Sequence, residues 1–250
     1  MLRYTALLLT VTAFLSVHSD AFAGRVMFDT SHRVIFSPES EEKLGLKNFL
    51  QMFRHKGHAV KTGNAVLSHE GLKDTDCLVL PGPMRPYSKK EIEAMESFVR
   101  DGGSLVVLIH IAPPLARLSE RFGIIVSNAV IAESENRIGG KPQDFIVKRF
   151  ASHPLGRGLS GASFYGSWAL LPEGESVSIA DTSPSSWADL NRNRKRDPDE
   201  PAMSFSVYAA AEAGKGRIAV IADDAPLANA FIGEADNGKM AENLIDWVMK

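Results

Sequence analysis

Five places in this sequence hold side chains able to do chemistry. Asp29-Thr30-Ser31-His32 sets a carboxylate and an imidazole three residues apart. Such a pair can move protons or share a polar ligand. His110, His153 and the Asp223-Asp224 dipeptide add more groups of the same kind. Their separations along the chain neither require nor forbid a common pocket. If His32, Asp29 and His153 or Asp223 converge, they supply an acid–base pair or zinc ligands without any cysteine. The sharpest metal-like signal is the run from Asp189 to Glu200. Asp189, Asn191, Asn193, Asp197 and Glu200 stand at positions one, three, five, nine and twelve of it. That is the spacing of a calcium loop, which wraps six to eight oxygens around a hard cation. The run departs from that pattern. Arg194 stands where the sharp-turn glycine belongs, and Arg196 stands at an ordinarily apolar position. Arg192, Arg194, Lys195 and Arg196 oppose a cation, and no helical pair flanks the run. A polar surface hairpin is the alternative reading. Neither HExxH nor a Gly-x-Ser-x-Gly elbow occurs.

These residues need elements to position them. Cys77–Leu80 and Leu105–Ile109 are short, wholly apolar runs, as expected of strands covered on both faces. Between them, Pro81-Gly82-Pro83 stops the first strand, and Ser88 and Glu91 have capping-box spacing. Ile92, Met95, Phe98 and Val99 fall on one helical face, and Gly102-Gly103 ends the helix. Strand, crossover helix and strand make a right-handed βαβ unit. Arg25–Phe28 reads as the first strand. Pro38 is expected to open a helix, Leu46, Phe49, Leu50 and Phe53 to stripe it, and Gly57 to close it. His58–Lys61 is the second strand, and 65–72 a short helix. The sum is an α/β, flavodoxin-like sheet, mostly parallel, with helices on both faces. Its ligand crevice lies at the carboxyl ends of the strands. That places Asp29, His32, Pro81, Gly82, Pro83, His110 and Asp223 there by position. The plainer readings are an Asx-turn at Asp29 and a core histidine bonded to backbone at His110.

Further along, Leu115–Phe122 predicts a helix and Ile124–Val126 a short strand. Residues 132–142 predict a loop, and Phe145–Val147 the start of a strand. His153-Pro154 is a rigid turn that the histidine itself can cap. Phe164–Leu170 reads as one aromatic strand, and Glu175–Ala180 as another. Met203–Glu212, Gly214-Lys215-Gly216 and Arg217–Ala222 predict an antiparallel hairpin added at the C-terminal side of the sheet. Asn237-Gly238 opens the last helix, with Met240, Leu244, Trp247 and Val248 on its buried face.

The order Asp76-x-Leu-Val-Leu-Pro-Gly-Pro, helix, Asp101-Gly-Gly-Ser-Leu resembles the core of the class I glutamine amidotransferase-like superfamily. The likeness is to its non-catalytic branches: the GIFT domain, bacterial periplasmic proteins of that kind, and the ThuA-like proteins. His153-Pro-Leu-x-x-Gly158-Leu159 is similar to a segment of the ThuA-like and related families. Asp29-x-x-His32 and the C-terminal stretch ending Asn243-Leu-Ile-Asp-Trp247 resemble the periplasmic relatives. Catalytic members of the superfamily carry a cysteine just after the central strand. Here that strand ends in His110, with Pro113-Pro114 close behind. The resemblance therefore implies the fold and a crevice, without amidotransferase chemistry.

Arg3, the apolar Ala6–Val17 run and Ala21-Phe22-Ala23 have the layout of a secretory signal peptide over residues 1–23. A retained membrane anchor is the alternative. Residues 24–250 then form a single domain with a polar loop inserted near 181–202. A formal net charge of −2 argues against a nucleic-acid binder, which shows a basic excess. Cys77 is the only cysteine, so no intrachain disulfide forms, and it is expected as a small buried apolar residue. The expectation is an exported, periplasmic, non-enzymatic domain. It binds a small polar ligand or an envelope protein, and needs no cofactor unless calcium. A periplasmic hydrolase and a calcium-stabilised adhesion or assembly module are the alternatives.

Overall fold

The structure is a computed structural model that describes residues 23–250. The expected signal peptide thus lies, apart from Ala23, outside the described residues. The chain runs β1 (Arg25–Asp29), α1 (Lys47–His55), β2 (Ala59–Gly63), α2 (His69–Leu72), β3 (Cys77–Pro81), α3 (Lys89–Arg100), β4 (Ser104–Leu108) and α4 (Pro113–Glu120). It continues through β5 (Ile124–Ala132), β6 (Arg137–Ile138), β7 (Lys141–Val147), β8 (Arg149–Phe150), β9 (Ala162–Tyr165), β10 (Trp168–Pro172) and β11 (Val177–Asp181). The last elements are β12 (Trp187–Asp189), β13 (Ser206–Ala213), β14 (Gly216–Ile221) and α5 (Asn237–Val248).

The main sheet has the order β12-β5-β10-β13-β14-β4-β3-β1-β2. Its core is five parallel strands, β2-β1-β3-β4-β14. Every residue of β3 and β4 is buried, because helices cover both faces. α1 packs on α5, and α3 packs on α2 and α4. Beyond β14 the sheet is antiparallel. This extension is larger than a C-terminal hairpin, since β5, β10 and β12 come from the middle of the chain. β14 itself joins the parallel core beside β4. A small second sheet, β6-β7-β9, packs alongside.

Ser88 and Glu91 form the capping box in full, each side chain taking the other's backbone N–H. Cys77 is completely buried in β3, and burial pushes its thiol up. Three expectations are corrected. Pro38 does not open α1, which starts at Lys47. Gly45 passes so close to the Ser40 carbonyl that a Cβ would sit 2.0 Å from it. Asn229, remote in sequence, then binds the Ser40 and Glu42 carbonyls and accepts from the Asn48 N–H. The supposed loop at 132–142 contains a hairpin, turned by Gly139 and Gly140 at φ 58° and 75°. Such a Gly-Gly pair supplies the two left-handed residues of a tight hairpin turn. The Phe164–Leu170 run is two strands in two sheets, broken where Gly166 takes φ 82°.

Replacing Ser88 by Ala should cost about 1 kcal/mol, as other N-cap losses do. Urea denaturation of the two proteins measures it.

Candidate functional site

The parallel strands all point the same way, so β1, β3, β4 and β14 deliver their C-terminal loops to one rim. Two polar clusters form there. The first is built around Asp29, the last residue of β1 and only 1% exposed. Tyr87 donates its hydroxyl to Asp29 Oδ2 at 2.6 Å, and the Ser31 hydroxyl reaches Oδ1 at 2.7 Å. The Ser31 N–H also donates to Oδ1, which is the Asx-turn expected from sequence. His32 Nδ1 lies 2.7 Å from Ser31 Oγ, and its Nε2 lies 3.4 Å from Glu91 Oε2. The ring lies against Tyr87, centres 4.0 Å apart and planes tilted by 35°. Burial would raise the Glu91 carboxyl, but hydrogen bonds from Ser88 and the adjacent His32 outweigh it and hold it below the ordinary carboxylate range. Burial, with Asp29 nearby, lifts the Tyr87 hydroxyl well above its usual range. Each polar group here has a protein partner. The cluster therefore locks the β1 and β3 loops together, helped by a bridge between Val34 and Pro83.

The second cluster is open. His110 Nδ1 sits 3.1 Å from Asp224 Oδ2. The Asp224 side chain is 3% exposed and that of His110 is 30% exposed. The bond to Asp224 raises the His110 pKa against the opposing effect of burial. Among the described residues no hydrogen bond reaches His110 Nε2. Phe36 lies 5.3 Å from the imidazole ring, and Trp168 Nε1 donates to the His110 carbonyl. Gly82, between Pro81 and Pro83, passes directly over this pair. A Cβ there would lie 2.4 Å from Asp224 Oδ2 and 2.9 Å from His110 Cβ, and its φ is +63°. Asp223 is buried beside the pair and accepts the Tyr165 and Ala225 N–H groups. Burial, then repulsion from Asp224, pushes its pKa up to about 8.

The rim thus gathers Asp29, His32, Pro81, Gly82, Pro83, His110 and Asp223. His110 is not a core histidine bonded to backbone, because the carboxylate of Asp224 takes its Nδ1. His153 is corrected: it belongs to the opposite end of the sheet. It lines a depression with Glu212, near the end of β13, and Glu212 pairs with Arg217 at the start of β14. There it caps a 3-10 turn through the Leu155 N–H and packs on Trp247, so it cannot join Asp29 or Asp223 in one pocket. Asp224, offered by the sequence beside Asp223, is the carboxylate that holds His110, and Tyr87 and Trp168 join the rim unexpected. Asp224 had a legible signal, since it follows a predicted strand directly. Tyr87 and Trp168 had none, because aromatic residues serve cores as readily.

Among the described residues, no three His, Cys, Asp or Glu side chains are gathered so that they alone could hold a metal ion. No helix among them is long and apolar enough to cross a membrane. The Asp189–Glu200 loop leaves the edge strand β12. Asp189, Asn191, Asn193, Asp197 and Glu200 are all brought to it. Asn191 and Asn193 both donate to Asp197 Oδ2 at 2.7 Å. Glu200 accepts from the Leu190 and Asp197 N–H groups.

Three measurements test this account. Tyr87→Phe should lower stability by about 1–3 kcal/mol, the cost of stranding a buried partner, as read by urea denaturation. Stability should also fall as pH rises from about 5 to 8. His110, raised in the fold, contributes fully below its ordinary value and loses that contribution as pH passes its folded value. Asp223 stays protonated in the fold, whereas the unfolded chain ionises from about pH 4. NMR titration of Asp224→Asn should show the His110 pKa lowered from its wild-type position.

The fold recurs in known structures. The mmIFT52 N-terminal domain superposes with a TM-score of 0.75 at 15% identity, over 90% of this chain and 97% of that one. A protein from Bacteroides uniformis described as ThuA-like gives 0.56 at 13%, over 94% and 95%. A cytoplasmic protein from Salmonella typhimurium LT2 gives 0.59 at 13%, over 90% and 100%. At such identities the likeness is one of fold. No curated protein matches the chain. The model of the family described as "Domain of unknown function (DUF4350)" matches residues 38–245, and the chain belongs to that family.

Proposed function

We propose that this chain is an exported, non-enzymatic ligand-binding domain, a member of the non-catalytic amidotransferase-like branch with a flavodoxin-like core. The observation that carries the reading is the His110–Asp224 pair. A buried carboxylate holds one imidazole nitrogen, and the other has no hydrogen-bond partner among the described residues. With Nδ1–H donating to Asp224, the neutral ring offers Nε2 as an acceptor, and the imidazolium that the Asp224 bond favours offers Nε2–H as a donor. The ligand it suits is a small molecule with a carboxylate, phosphate or hydroxyl oxygen. Arg192, whose guanidinium lies 5.8 Å from the Trp168 ring centre, adds positive charge on that side. The order β2-β1-β3-β4-β14 supports the flavodoxin-like assignment, because it is the 2-1-3-4-5 order of that fold. His110 in place of a nucleophilic cysteine supports a binding role over acyl transfer. Export rests on the layout of residues 1–23. An envelope protein docking at the same rim is the scaffold form of this reading.

The hydrolase reading draws on the same pair, because an imidazole backed by a carboxylate can activate water. It lacks a gathered metal set, and His153 contributes nothing to it.

A thermal-shift screen with sugars, nucleotides and dicarboxylates tests the proposal. A melting temperature raised by one of them, and no longer raised in His110→Ala, is the expected result. The shift should survive Tyr87→Phe, which perturbs only the locked cluster. Retention of the full shift in His110→Ala would sink the assignment. Turnover of the bound compound by the wild type would favour the hydrolase.

A further inference from the structure

We infer that the Asp189–Glu200 loop is a calcium site, separate from the rim. Asp189 closes β12, paired with Val130 of β5, so a sheet fixes its position. Its side chain is 1% exposed. Oδ2 accepts from Gln143 Nε2 and from the Arg194 N–H, both at 3.0 Å. Oδ1 is buried and has no hydrogen-bond partner among the described residues. A buried carboxylate oxygen left bare is costly, and a bound cation is the partner that removes the cost. The oxygen lacking a partner belongs to position one of the loop, where a calcium loop has its first ligand.

The rest of the loop fits that reading. Arg194, at the sharp-turn position, takes φ 62°, and so does Arg192. The turn is therefore made without the glycine. Asn191 Oδ1 accepts from the Asn193 N–H, and Asn193 Oδ1 from the Lys195 N–H, leaving each amide oxygen a second lone pair. Glu200, at position twelve, is 6% exposed and ties both ends of the loop. The carboxylates of the loop alone do not make a metal group; the set is the bare Asp189 oxygen with the amide oxygens of Asn191 and Asn193, all from one segment. Such a set suits calcium, whereas magnesium demands a smaller, near-octahedral cage. The basic residues weaken the site without blocking it. Arg194, Lys195 and Arg196 are exposed, and the Arg192 guanidinium is drawn over Trp168. Affinity should lie in the class of extracellular modules, with Kd about 10⁻⁴ to 10⁻³ M.

Isothermal titration of the purified protein with calcium chloride, in about 0.15 M salt, is the test. Saturable uptake in that range is expected, with a raised melting temperature in calcium and none in equal magnesium. Asp189→Ala should abolish uptake, but its buried bonds also support folding. Asn191→Ala and Asn193→Ala, both exposed, supply the cleaner variants and should weaken binding about tenfold or more. Arg194→Gly should tighten it, since glycine takes positive φ freely. His110→Ala should leave uptake intact, which separates this site from the rim. No uptake at about 10 mM calcium, well above the weakest affinity of such modules, would overturn the inference. So would uptake indifferent to Asn191 and Asn193, equal response to magnesium, or loss of uptake in His110→Ala.

Discussion

The hydrogen-bonded position of β14 is the constraint on which the rest of the molecule depends. It lies between β4, to which it is parallel, and β13, to which it is antiparallel. The one strand therefore closes the parallel core and opens the antiparallel half. Its entry is tight: a Cβ at Gly216 would sit 2.1 Å from the Val99 and Gly103 carbonyls, so the helix–strand turn after α3 and the β13–β14 turn must interlock. Its exit carries Asp223 and Asp224 to the rim. Because the core strands are buried on both faces, the loops at their ends are what remains to meet a ligand.

Burial and hydrogen-bond supply divide the labour at that rim. Asp29, Ser31, His32, Tyr87 and Glu91 exhaust one another's donors and acceptors. A cluster so saturated stiffens loops and has little left for a ligand. His110 and Asp224 are arranged the other way, with one imidazole nitrogen tied and the other free. Gly82 allows that closeness, since no other residue fits above the pair. Asp223 shows the cost of the same geometry: two backbone N–H bonds hold it, yet burial and its neighbour keep it protonated near neutral pH.

The antiparallel half is where the polar loop and the rim come near each other. Trp168 of β10 donates to the His110 carbonyl on one side and meets Arg192 of the loop on the other. The edge strand β12 that roots the loop is also pinned by a bridge between Trp187 and Ala202. Ser183 reinforces this region by bonding the buried Glu133 at the end of β5. A rigid edge of this kind holds Asp189 in place, which a loop alone would not do.

What the sequence determined by itself were the elements whose signals are local. The apolar runs of β3 and β4, the Ser88–Glu91 box and the stripe Phe49, Leu50 and Phe53 are set by period, capping and burial on both faces. The rim residues Asp29, His32, Pro81, Gly82, Pro83, His110 and Asp223 follow from the parallel order alone, because parallel strands end together. What only the tertiary structure decided depends on partners remote in the chain. Asn229 caps α1 and moves its start from Pro38 to Lys47, and Gly166 sends one aromatic run into two sheets. His153 falls at the far end, because β13 runs antiparallel to the core. The difference between a saturated Asp29 and an open His110 was equally hidden. It is set by where Tyr87, Glu91 and Asp224 arrive in space, and hydrogen-bond satisfaction is a property of the folded neighbourhood, not of the residue.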